Sequence, residues 1–149
     1  MISLTELHDA AERNNIDIID YSISNSKKAV CLYKRNQFKT IALNRAQIES
    51  TAEEKVLLFE ELSHFETENL YFIDATSNMG TGKLNKIIYE SRTRRYSIKK
   101  YLPLKKLKQA YEDGCRNAYE VAEYLNVTED FIRQATEYYT EIYKQKSEN

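Results

Sequence analysis

Glu60, Glu61 and His64 fall close together in the stretch Phe59-Glu60-Glu61-Leu62-Ser63-His64-Phe65. At about 100° per helical residue, Glu60 and His64 lie about 40° apart and Glu61 about 100° from Glu60, so all three can look into one cleft. Leu58, Phe59, Leu62 and Phe65 fill the opposite arc. An i, i+4 pair followed closely by an acid is the layout of the His-Glu-x-x-His zinc helix, in which the paired residues hold metal and the Glu acts as general base. Here the first place is taken by Glu60, and a carboxylate also ligates zinc. By spacing alone the same three residues read more simply as a solvated helix face, with Glu53, Glu54, Glu66 and Glu68 nearby.

A third ligand has to come from elsewhere. Residues 83 to 108 hold ten Lys or Arg and a single acid, Glu90, beside the apolar edge of Leu84, Ile87, Ile88 and Ile98. A carboxylate at such an edge needs a partner: a metal, or a cation such as Arg94. Asp74 offers a further ligand or an acceptor behind the ligands, with a surface turn as its plainer role. Met79-Gly80-Thr81-Gly82-Lys83 fails as a phosphate loop, because Ser77 stands where Gly is required and Leu84 where Ser or Thr is. Gly80 and Gly82 are read as loop glycines.

The elements that must position these residues follow from periodicity. Ser3 and Glu6 form a capping box for an amphipathic helix over residues 3 to 14. Ile16 to Ile23, Ala29 to Tyr33 and Gln37 to Leu43 read as three strands, the last two a hairpin. Leu58, Leu62 and Phe65 mark a buried helix from about 52 to 66, with a capping box offered by Thr51 and Glu54. A loop over 67 to 83, with a short extended piece at Leu70 to Ile73, leads to a helix from Leu84 to Leu102. Pro103 sits in the first turn of the next helix, through Tyr111. After a break at Gly114, two more helices run from Asn117 to Leu125 and from Thr128 to about Tyr143.

Length and composition fit one domain of ordinary size: 149 residues, 42% apolar, 30% charged, net charge −1. No apolar run spans a bilayer and the start lacks the blocks of a signal peptide, so the expected location is the cytoplasm. Cys31 and Cys115 are too few for a disulfide framework or a Cys-rich zinc site. Residues 117 to 132 have the cadence of a helix-turn-helix. From Cys115 onward, however, there are 4 Lys or Arg against 7 Asp or Glu, the wrong sign for phosphate contacts. A helical pair that packs on the core or docks a protein is expected there, and the twelve tyrosines supply either core or contact surface.

These pieces fall into one order. Leu57-Leu58-Phe59-Glu60-Glu61-Leu62-Ser63-His64, Ile73-Asp74, Glu90-Ser91-Arg92-Thr93-Arg94, Tyr101-Leu102-Pro103-Leu104-Lys105-Lys106-Leu107 and the stretch from Asn117 to Glu129 together resemble the ImmA/IrrE family of phage and mobile-element metallopeptidases. The likeness is to a short prophage form. It covers nearly the whole chain, and its last stretch is the most specific. The resemblance implies an α+β, minimal zincin-like metallopeptidase fold. A small β-sheet would pack on the active-site helix, residues 1–102 would form the peptidase core and 103–149 a helical C-terminal region.

By the same resemblance, His64, Glu60 and Glu90 are implied as metal ligands and Glu61 as the base that activates the water nucleophile. The implied cofactor is zinc, with Mn²⁺ admitted by oxygen-rich ligation. Two carboxylates and a neutral imidazole cancel the charge of Zn²⁺, so the water would be less acidified than with two His and one Glu. The implied partner is a helix-turn-helix repressor, cleaved to relieve repression, with neither membrane nor direct nucleic-acid contact. Two other readings stay open. One is a catalytically degenerate module of the same fold that sequesters a repressor, and the other a nucleic-acid-binding regulator using the cationic segment 83 to 108.

Overall fold

A computed structural model describes residues 1–67 and 79–149, with backbone alone at 79–85. In chain order the described elements are α1 (Leu4–Arg13), β1 (Asp17–Tyr21), β2 (Ala29–Lys34), β3 (Phe38–Asn44), α2 (Thr51–Glu66), α3 (Met79–Tyr101), α4 (Leu104–Glu112), α5 (Ala118–Leu125) and α6 (Glu129–Ser147). The class is α+β.

The three strands form one mixed sheet in the order β1-β3-β2, with β3 parallel to β1 and antiparallel to β2. The β2–β3 hairpin turns through Asn36 at φ 60°, a left-handed position that Asn tolerates better than most residues. Ile18, Ile41 and Cys31 lie in one row across the sheet, and Leu43 pairs with Ala29 in the next row on that face. Because strand side chains alternate, Ile41 and Leu43 enter the core fully buried while Ile19 and Leu32 remain exposed on the other face. Fully buried Asn44 donates through Nδ2 to the carbonyls of Ile23 (2.8 Å) and Lys27 (3.1 Å), tying the loop after β1 to the end of β3.

The helix α2 is enclosed nearly all round. Leu58, Phe59 and Leu62 are buried, and the Phe59 ring stacks on Tyr101 of α3 (centroids 4.4 Å) and meets Phe131 of α6 (5.7 Å). Buried Lys55 donates to the carbonyl of Leu125, at the end of α5, at 3.2 Å. One apolar cluster therefore runs from Leu7 in α1 through α2 to Ala135 in α6. No helix among the described residues is long and apolar enough to cross a membrane.

Several boundaries differ from the sequence expectation. Met79 to Lys83 are helical, so Gly80 and Gly82 lie in the first turns of α3 rather than in a loop. Glycine's helix penalty, about 1 kcal/mol, is small enough for a long helix to propagate through it. The cap of α2 is Ser50, whose Oγ accepts from the Glu53 amide at 3.1 Å, and Thr51 begins the helix itself. Pro103 is extended (φ −60°, ψ 147°) and precedes α4 as its cap. Helix α6 continues past Tyr143 to Ser147, where Lys144 and Lys146 complement the negative end of its dipole. The extended piece expected at Leu70 to Ile73, and Asp74, lie outside the described residues.

Candidate functional site

The polar arc of α2 is not a solvated face. His64 is only 9% exposed, and Glu60 and Glu61 are half-buried. Helix α2 can turn these groups inward because Phe59 and Leu62 anchor its other side, and β2 and α3 close over the arc from two directions. Buried Ser63 donates its hydroxyl to the Phe59 carbonyl at 2.6 Å, so its polar atom is satisfied within the helix.

From α3, Glu90 reaches back to α2, with Oε2 3.6 Å from His64 Nε2. That contact is the one the sequence pattern left between a metal-site role and a cation partner. Arg94, one turn further along α3, acts instead on Glu60, whose carboxyl its charge helps to keep ionised. From β2, the Cys31 thiol donates to Glu61 Oε2 at 2.8 Å and approaches the Glu61 carbonyl oxygen at 3.4 Å.

The electrostatics bind these groups into one cluster. Burial pushes the Glu60 carboxyl above the usual carboxylate range; Arg94 and His64 oppose that shift, while the charges of Glu61 and Glu90 reinforce it. Burial raises Glu61 as well, against the Cys31 hydrogen bond and the charges of His64 and Lys27. The Cys31 thiol is pushed far up by burial and by the carboxylates of Glu61 and Glu90, so it is a proton-bearing donor and no thiolate nucleophile. Three carboxylates and one imidazole in a half-dry site carry an excess of negative charge that a divalent cation would relieve, and the donor types suit zinc. Among the described residues no three His, Cys, Asp or Glu side chains converge closely enough to hold a metal ion. The structure instead brings the donors together as two pairs, His64 with Glu90 and Glu61 with Cys31.

Cys31 is the residue that sequence reasoning passed over. Its signal was the alternation of β2, which puts Ala29, Cys31 and Tyr33 on the core side of the strand. Lys27 reaches the site's field from the loop that Asn44 ties down. No family model matches the chain, and no curated protein or solved structure is significantly similar to it.

Proposed function

We propose that the chain is a metallopeptidase-like protein of the ImmA/IrrE type, with a zincin-like fold, that acts on a helix-turn-helix repressor of a phage or mobile element. The observation that carries this reading is the approach of His64 and Glu90 across α2 and α3, with half-buried Glu60 and Glu61 on the same helix arc. His64 and Glu90, which already approach each other, would hold zinc, or Mn²⁺ given the oxygen-rich set, with Glu60 moving in from the same arc to complete the three ligands that do not yet converge. When bound, the cation supplies Lewis-acid polarisation of the scissile carbonyl. Glu61 takes a proton from the attacking water and passes it to the leaving amine, work that suits a carboxyl whose proton affinity burial has raised. The walls from β2 and α3 limit water around that carboxylate. Lys27 and Arg94 offset part of the site's negative charge.

Metal analysis of the purified protein, joined to co-expression with a candidate repressor, tests this. Stoichiometric metal in the wild type, its loss in His64→Ala and loss of repressor cleavage in Glu61→Gln are the expected results. A second reading, a module that sequesters the repressor without cutting it, is favoured by the exposed rings of Tyr119, Tyr124 and Tyr143 on α5 and α6. It predicts relief of repression that Glu61→Gln leaves unchanged in a protein free of metal.

A further inference from the structure

Glu61 carries a long side chain with several rotatable bonds, and a general base must be held in place to act. The helix alone does not hold it. Cys31 approaches from a different element, in the middle of β2, where its backbone pairs with Ile41 in the central strand β3. Ile41 is fully buried, so the sulfur's position is set by the sheet and its core. Its thiol touches both the Oε2 and the main-chain carbonyl of Glu61, at 2.8 and 3.4 Å. One donor thus spans the carboxylate and the helix turn that bears it. We propose that Cys31 is a positioning residue, which fixes Glu61 by engaging Oε2 and leaves Oε1 to take the proton from water. Burial keeps the thiol protonated, as a donor must be.

This inference rests on the proposed role of Glu61 as base, and two measurements separate the two ideas. The first is the infrared S–H stretch in a Cys115→Ser background, which leaves Cys31 as the only thiol; Cys115 itself lies against the Glu120 carbonyl at 3.7 Å, apart from the cluster. Its band is expected at lower frequency than an unbonded thiol and is expected to rise in Glu61→Ala. The second is repressor hydrolysis by the zinc-loaded protein. Cys31→Ala is expected to lower kcat about ten- to a hundredfold with KM and zinc content unchanged. Cys31→Ser, which keeps a donor at nearly the same place, is expected to restore most of that loss. A band indifferent to Glu61→Ala, or equal kcat in Cys31→Ala and wild type, overturns the positioning role alone. No hydrolysis by the wild-type protein overturns the proposed function, and the positioning role with it.

Discussion

The surroundings of α2 and the α5–α6 pair solve opposite problems. In α5 and α6 the apolar side chains Val121, Leu125, Phe131 and Ile132 are buried, and the charged groups lie outside in local pairs such as Glu129 with Arg133. Each N-terminus is capped by the side chain before it, Asn117 on the Glu120 amide (2.9 Å) and Thr128 on the Phe131 amide (3.3 Å). In α2 the reverse holds on one arc. Glu60, Glu61 and His64 are turned inward, against a desolvation cost, and their partners come from distant elements. Local rules that agree with one another mark a region built for stability, and a region that breaks them at a cost is where a candidate site is sought.

The comparison is broken most forcefully by truncating the apolar side. Phe131→Ala removes a ring that is 1% exposed and lies 5.7 Å from Phe59, and should cost about 3–5 kcal/mol in urea unfolding. Thr128→Ala removes the α6 cap and should cost about 1 kcal/mol by the same measurement. If either change proved neutral, the C-terminal pair would not be the stabilising half of the molecule.

At the site the sign should invert. Burial raises the Glu61 carboxyl, so the folded state binds its proton more tightly than the unfolded state does. Stability contributed by this group is present below the unfolded value and lost as pH rises through the folded value. Glu61→Gln removes the ionisable group, and in metal-free protein at neutral pH it should raise Tm by a few degrees, about 1 kcal/mol. The gain should vanish as pH falls below the ordinary carboxyl range, and Tm followed from neutral to acid pH reads it directly. Saturating zinc should reverse the sign if the carboxylates serve the cation.

How far the chain could be read ahead of its structure follows the same division. Where local chemistry decides, at the Ser3–Glu6 capping box, the β2–β3 hairpin and the Thr128 cap, the residues announce the element. The parallel pairing of β1 with β3 was not legible, because period-2 alternation gives the face of a strand but not its neighbour. At the site, Glu60, Glu61 and His64 were legible from helical spacing, and Glu90 stood out as the lone acid in a cationic segment. Cys31 was not, since its contact with Glu61 joins residues 30 positions apart and depends on the sheet's docking against α2. The inward turn of the polar arc was equally hidden, because periodicity shows which residues share a face and not whether a second layer covers it.

The smallest expected effect sets the baseline for all the others. Glu129 and Arg133 are one turn apart on α6 and form an ion pair, with side chains 40% and 66% exposed. Water screens so exposed a pair, and holding two long side chains together costs entropy, so the net contribution is within about 0.5 kcal/mol. Arg133→Ala should therefore leave the urea midpoint nearly unmoved and insensitive to salt. His64 and Glu90 are also an ion-pair candidate on paper, at 3.6 Å, but His64 is almost wholly buried. If that contact were merely a pair like the one on α6, His64→Ala would leave metal content unchanged and cost only the packing of a buried ring. A loss of metal in His64→Ala beside a silent Arg133→Ala would show that burial, and not distance alone, separates a functional contact from an ornamental one.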